Sequence, residues 1–109
     1  MIEILYFAGC PNHEPTVRLV RETVSDLGLT EEIREVPIET AEEAQANRFL
    51  GSPSVRIADK DIEREARDRI DFGVSCRMYG SGGVPPRELV ISGLEEALGR
   101  HFNDEQTRR

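Results

Sequence analysis

The stretch "MIEILYFAGCPNHEP", residues 1–15, decides the predicted fold. Its first seven residues are a nearly continuous run of apolar and β-forming side chains, a pattern typical of a central strand that is covered on both faces. Gly9 ends the run, and a helical pattern begins shortly afterwards. A buried strand that leads into a helix starts a βαβ unit with two parallel strands. We therefore predict an α/β fold.

The remaining chain alternates between helical and strand patterns. We predict helices over residues 15–28, 40–51 and 86–102, and strands over residues 1–9, 32–39, 52–59 and 70–80. Thr40 and Glu43 fit a capping box at the start of the second helix. Pro37 cannot donate to a sheet ladder, so the second strand should lie at an edge. The order βαβ-ββα predicts a small mixed sheet of about four strands with helices on both faces.

Apolar side chains at regular spacing mark the buried faces of three predicted elements. We expect one face of the first helix to carry Val17, Val20, Val24 and Leu27, and one face of the last helix to carry Ile91, Leu94 and Leu98. In the fourth predicted strand the alternating residues are Val74, Cys76 and Met78. This alternation predicts that they share one face and that Cys76 is a buried strand thiol.

The length, charge and cysteine content limit the classes of function that the protein can have. A length of 109 residues suits one domain, and a net charge of −7 argues against a nucleic-acid partner. No run approaches the roughly 20 apolar residues that a membrane helix needs. Two cysteines and no visible secretory signal predict a cytoplasmic protein with free thiols, unless one of the thiols takes part in redox chemistry. No motif indicates a cofactor, and we expect none.

Cys10 is the first candidate site residue. It follows the end of the predicted first strand and precedes the first helix. Open α/β sheets bind ligands beyond the carboxyl ends of their strands. The partial positive charge of a helix N-terminus also stabilises a thiolate. Cys10 is therefore a candidate nucleophile, and a small buried core residue is the alternative.

His13 lies three residues after Cys10. The two would share a helix face if the helix began at Cys10, and His13 could then act as a general acid and base. Pro15 is tolerated only in the first turn, and Asn12 is the better N-cap. A helix that starts near Asn12 leaves Cys10 outside it. His13 is then either a partner of the thiol or an exposed residue of a polar turn.

Three further residues are candidates. Ser52 and Pro53 open the third predicted strand; an X–Pro bond adopts the cis form at little cost, and a trans proline that opens the strand is the alternative. Cys76 is the second thiol. If strands one, three and four are adjacent in that order, strand four lies about 9.6 Å from strand one, too far for a direct disulfide between the strands. Cys10, His13 and Cys76 could also hold zinc with a water as fourth ligand.

These features together resemble the thioredoxin-like fold over residues 1–101, with residues 102–109 as a frayed tail. The motifs "GCPN" (9–12), "FLGSPSVR" (49–56) and "GVSCRMY" (73–79) are similar to those of small bacterial thioredoxin-like proteins often labelled alkylmercury lyases. The resemblance implies a three-layer α/β/α sandwich. It places Cys10 at the first cysteine of a Cys-x-x-Cys motif, His13 at the second, and Pro53 at the cis-proline that faces the thiol.

The resemblance implies a single-thiol site for thiol–disulfide or related redox chemistry. Cys10 would be the nucleophile, His13 would tune or protonate it, and Cys76 or an external thiol would resolve the mixed disulfide. Pro11, Ser52 and Pro53 would contact substrates, which are protein or low-molecular-weight thiols and disulfides. Two alternatives stay open: a mercury or soft-metal protein that binds through Cys10 and Cys76, similar to organomercurial lyases, and a non-catalytic binding domain.

Overall fold

The computed structural model describes residues 1–102. The strands are β1 (Ile2–Tyr6), β2 (Ile33–Pro37), β3 (Ser54–Ile57) and β4 (Lys60–Asp61). The α-helices are α1 (His13–Asp26), α2 (Ala41–Ala46) and α3 (Arg87–Leu98), and a 3₁₀ turn spans Arg64–Ala66. The prediction of an α/β fold is confirmed.

The four strands form one mixed sheet in the order β2-β1-β3-β4. β1 pairs with β2 in parallel and with β3 antiparallel, and β4 closes a hairpin with β3. The central position of β1 and the edge position of β2 are both as predicted. At one end of the sheet, the chain leaves β1 for the loop that carries Cys10.

Helices cover both faces of the sheet. The larger core packs α1 and α3 against Ile2, Ile4, Val55 and Ile57 on one face. The smaller core packs Ala44 of α2 against Leu5, Ile38 and Phe49 on the other face. β1 contributes to both cores because successive side chains of a strand point to opposite faces. This double burial is the reason for its nearly continuous apolar sequence.

Helix α1 buries the face that its periodicity predicts, formed by Val17, Val20, Val24 and, at the C-cap, Leu27. The capping box at the start of α2 is also present: Glu43 N–H donates to Thr40 Oγ1 at 3.0 Å, and Thr40 N–H donates to Glu43 Oε1 at 3.1 Å. Local patterns therefore identified both helices and the start of α2, but α2 ends at Ala46 and not at residue 51 as predicted.

The prediction for helix α3 is partly wrong. Leu94 is buried, but Leu98 is 40% exposed and Val90 takes its place in the core. Pro86 is the N-cap of α3, one residue before the helix begins. Gly93 lies against Ile62 and Ile57, so the helix packs through a face centred on Val90, Gly93 and Leu94.

The prediction of a fourth strand over residues 70–80 is wrong. The fourth strand is Lys60–Asp61, and Cys76 forms only an isolated parallel bridge with Ser52. The predicted buried face is also reversed. Val74, Cys76 and Met78 are exposed, whereas Arg77 and Tyr79 are 3% and 5% exposed. Alternation identifies residues that share a face, but it does not say which face meets the core.

No helix in the described part of the chain is long and apolar enough to cross a membrane. Phe102, at the end of that part, is buried against the larger core. The remainder of the predicted tail, residues 103–109, lies outside the described residues.

Candidate functional site

Cys10 lies in the loop between β1 and α1. Its N–H donates to the carbonyl of Phe7 at 3.3 Å, and its own carbonyl accepts from the N–H of His13 at 3.3 Å. Gly9, at φ 88°, supplies the left-handed conformation that this turn requires. Asn12 is the N-cap of α1, as predicted, so Cys10 precedes the helix and is not part of it.

An open cavity of about 470 Å³ adjoins Cys10. Cys10, Pro11 and His13 line it together with the charged side chains of Glu14 and Arg18. Cys10 is only 8% exposed, so the cavity meets the edge of a largely buried residue. The structure thus brings three of the sequence-predicted site residues to one cavity.

The imidazole of His13 is held by two residues of the sheet. It stacks on the ring of Tyr6, with centroids 3.6 Å apart and planes inclined by 5°. Its Nε2 lies 2.7 Å from Oε1 of Glu35. A carboxylate only accepts hydrogen bonds, so Nε2 carries the proton in this contact and the neutral ring keeps a bare Nδ1. His13 is therefore a fixed ring with one nitrogen left for another partner.

Sequence reasoning did not identify Tyr6 and Glu35 as neighbours of His13. From the sequence, Tyr6 is one residue of the first strand, and Glu35 is one of several charged residues on an edge strand. The parallel register of β1 and β2 places Tyr6 opposite Pro37. Tyr6 and Glu35 therefore both lie beside the first turn of α1, where His13 contacts them. No local pattern contains this information, because Glu35 is 22 residues from His13.

Ser52 connects the Cys10 loop with the segment that carries Cys76. Its hydroxyl accepts from the N–H of Phe7 at 3.3 Å. Its own N–H donates to Ser75 O at 2.8 Å, and its carbonyl accepts from Arg77 N–H at 3.0 Å. The following peptide bond, Ser52–Pro53, is cis. Both main-chain groups of Ser52 are therefore engaged by residues of the same chain.

Cys76 lies on this neighbouring segment and does not line the cavity next to Cys10. Both cysteines are free thiols, with Cys10 buried and Cys76 exposed. Among residues 1–102, no three His, Cys, Asp or Glu side chains are grouped so that they could hold a metal ion. Cys10, His13 and Cys76 therefore do not form the three-ligand zinc site that their residue types allowed.

A buried polar network lies behind the Ser52–Pro53 bond. Arg77 donates to both oxygens of Asp61, to Glu63 Oε1 at 2.8 Å and to Ser54 Oγ at 3.0 Å. Its guanidinium also packs on the ring of Tyr79, 4.6 Å from the centroid. Sequence reasoning missed this network because it placed Arg77 on the exposed face.

The network holds Arg77 and Tyr79 each in one charge state. Burial opposes the charge of Arg77, but its bonds to Asp61 and Glu63 outweigh that cost and raise the pKa of Arg77. Burial raises the pKa of the Tyr79 hydroxyl, which donates to the carbonyl of Pro53 at 2.7 Å. Arg77 stays charged and Tyr79 stays neutral across the physiological pH range. Their hydrogen bonds to Ser54 and Pro53 therefore persist throughout that range.

The chain matches no protein-family model, no curated protein and no solved structure. The α/β architecture and the arrangement around Cys10 are therefore the basis for any functional conclusion.

Proposed function

We propose that this protein has a thioredoxin-like fold and that its Cys10 thiol carries out thiol–disulfide exchange with low-molecular-weight disulfides. The observation that carries the proposal is the position of Cys10. It lies in the loop between β1 and α1, lines an open cavity, and is three residues from Phe7, to which Ser52 of the cis Ser52–Pro53 bond is hydrogen-bonded. Open α/β sheets commonly bind their ligands at such a place.

The proposed reaction has two stages. The Cys10 thiolate attacks one sulfur of a disulfide, a mixed disulfide with Cys10 forms, and the other sulfur leaves as a thiolate. In one route, an external low-molecular-weight thiolate attacks the substrate sulfur of the mixed disulfide, forms a new disulfide with it and releases the Cys10 thiolate. In the other, the Cys76 thiolate attacks the Cys10 sulfur, expels the substrate thiolate and forms a Cys10–Cys76 disulfide, which two external thiols then reduce in successive exchanges. The two electrons stay within the sulfur atoms in both routes.

His13 is the proposed proton acceptor for the Cys10 thiol. It lines the same cavity as Cys10, and its Nε2 is occupied by Glu35. The bare Nδ1 of the neutral ring can take a proton, and the Glu35 carboxylate then stabilises the imidazolium that results. Tyr6 restricts the ring through stacking, so the ring does not have to be ordered again in each cycle.

The hydrogen bonds of Ser52 support a small substrate. An extended peptide would pair with the main chain beside the cis-proline, but Ser52 N–H and C=O already bond to Ser75 and Arg77. A peptide could take these groups only by displacing residues 75–77. A small disulfide needs none of these main-chain groups, and the cavity of about 470 Å³ next to Cys10 is the place where we expect it to bind.

Exchange with oxidised glutathione tests the proposal, with Cys10→Ser and Cys76→Ser as a matched pair. The reduced proteins are incubated with oxidised glutathione and a reporter thiol at neutral pH, and turnover is followed. Samples are quenched with N-ethylmaleimide, and peptide mass mapping locates the mixed disulfide. We expect Cys10→Ser to show only the uncatalysed rate, although exposed Cys76 still acquires glutathione. Turnover by Cys10→Ser at the parent's rate would overturn the proposal.

The Cys76→Ser variant identifies the resolving group. If Cys76 resolves, the Cys10–glutathione mixed disulfide accumulates in Cys76→Ser and turnover falls. If an external thiol resolves, turnover in this variant equals that of the parent. Both outcomes keep Cys10 as the nucleophile and differ only in the second step.

A further inference from the structure

A second cavity, of about 190 Å³, lies on the face of the sheet that α2 covers. Five cationic side chains line it, namely Arg48, Arg56, Lys60, Arg67 and Arg69. This concentration is unexpected in a chain whose net charge is −7 and which has only 14 lysines and arginines. The cavity shares no lining residue with the one next to Cys10.

Neighbouring carboxylates neutralise part of this charge. Arg67 makes two hydrogen bonds to Glu96, and Arg69 makes two to Asp71. The carboxylate of Asp61, which also lines the cavity, is bound by Arg77. Arg67, Arg69 and Asp61 therefore each have an opposite charge in direct contact, and Arg77 also binds Glu63.

The remaining lining groups are three cations and one carboxylate. Arg48 and Arg56 have no carboxylate within salt-bridge distance in the described residues 1–102, and Lys60 reaches only Glu96, at 3.8 Å. Asp59 is the one carboxylate that is left. The cavity therefore has a surplus of about two positive charges, and Arg48 and Arg56 are the main contributors.

Arg56 is held in place by uncharged groups. Its Nη2 donates to the carbonyls of Asn47 and Arg48 at 2.5 and 2.8 Å, which neutralise no charge. Burial lowers the pKa of Arg56, the charges of Arg48 and Arg77 act in the same direction, and Asp61 and Glu3 only partly oppose them. A partly buried cation is costly where neighbouring carboxylates offset its desolvation only in part, and a further anion would compensate the remainder.

Arg48 is oriented by its backbone and by a ring. Its φ is 53°, a left-handed conformation that non-glycine residues seldom adopt and that clusters at functional sites. Its guanidinium lies over Phe72, 4.9 Å from the ring centroid, and both side chains line the cavity.

We propose that this cavity binds the phosphate group of a small molecule, with Arg48 and Arg56 as its principal ligands. A phosphate monoester carries a charge of about −1.5 to −2 at pH 7, which matches the surplus in the cavity. Guanidinium groups bind phosphate oxygens through paired N–H donors. The small volume fits a phosphate group with few additional atoms, because cavities for drug-sized ligands measure roughly 300–1,000 Å³.

Calorimetric titration of the whole chain with inorganic phosphate, in chloride buffer at constant ionic strength, tests the site. We expect saturable binding to the parent and a loss of affinity of about tenfold or more in Arg48→Gln, as expected for a charge-assisted hydrogen bond. Arg100→Gln is the matched control. Arg100 also lies over a ring, 4.8 Å from the centroid of Phe102, and its replacement removes the same charge outside the cavity.

Two further titrations discriminate between ligands. Phenyl phosphate that binds more tightly than inorganic phosphate would identify a phosphomonoester as the ligand, and equal affinity would identify free phosphate. Acetate, a monoanion, should bind much more weakly. The proposal is overturned if the parent shows no saturable phosphate binding, if acetate binds as tightly, or if Arg48→Gln and Arg100→Gln weaken binding equally.

Discussion

The guanidinium of Arg77 donates to both carboxylate oxygens of Asp61, at 2.7 and 2.8 Å, and both side chains are less than 10% exposed. This ion pair joins β4 to the segment that bridges Ser52. It therefore links the hairpin of β3 and β4 to the loop beside the proposed thiol site.

Asp61→Asn should lower the free energy of unfolding by about 3–5 kcal/mol, because it leaves the charge of Arg77 buried without its main partner. Urea unfolding followed by circular dichroism measures the change. The control is Asp71→Asn, which breaks the exposed pair with Arg69 and should leave stability unchanged. Equal midpoints for the two variants would show that burial of the Arg77–Asp61 pair has no energetic consequence.

Gly51→Ala should destabilise the protein more than Gly28→Ala does. Both glycines have positive φ, 120° and 68°, so an alanine is strained at either position. At Gly51 the new Cβ would also meet Arg77 Cβ at 3.0 Å and Ser75 O at 3.2 Å, whereas at Gly28 it meets nothing within 4 Å. We expect about 1–2 kcal/mol for Gly28→Ala and a clearly larger loss for Gly51→Ala. Thermal unfolding of both variants checks the order, and a smaller loss at Gly51 would contradict the close packing.

Tyr79 should make stability depend on pH above about 10. Burial raises the pKa of Tyr79 in the folded protein, so above its ordinary pKa of 10.0 the unfolded chain releases a proton that the folded chain keeps. Its contribution to stability is complete below pH 10 and is lost as the pH rises, by up to about 1.4 kcal/mol per pH unit. Unfolding at pH 9, 10 and 11 measures this slope. Tyr79→Phe should reduce the slope, and an unchanged slope in Tyr79→Phe would contradict the role of Tyr79.

Glu35→Gln and His13→Ala should both slow disulfide exchange at Cys10 by about tenfold or more. The first variant removes the carboxylate that stabilises the protonated His13 ring, and the second removes the ring itself. Turnover with oxidised glutathione measures the rate. Tyr6→Phe keeps the ring that stacks on His13 and should retain the parent's rate. If His13→Ala exchanges as fast as the parent, His13 has no role in the reaction and its contact with Glu35 is structural.

Much of the fold was predictable because its signals are local. The apolar run of β1, the periodicity of α1, the Thr40–Glu43 capping box and the N-cap at Asn12 all depend on residues within a few positions of one another. Pro37 marked the edge strand by its missing N–H. The position of Cys10 between β1 and α1 follows from these elements alone.

The sequence by itself therefore determined the α/β order, the central strand and the loop that carries Cys10. Only the tertiary structure decided that β4 is Lys60–Asp61, that Arg77 and not Cys76 faces the interior, and that His13 meets Glu35. A two-residue strand exists only through its pairing with β3, and an alternating segment buries whichever face finds partners. For Arg77 those partners are Asp61, Glu63 and Ser54, and their convergence outweighs the hydropathy of Val74, Cys76 and Met78.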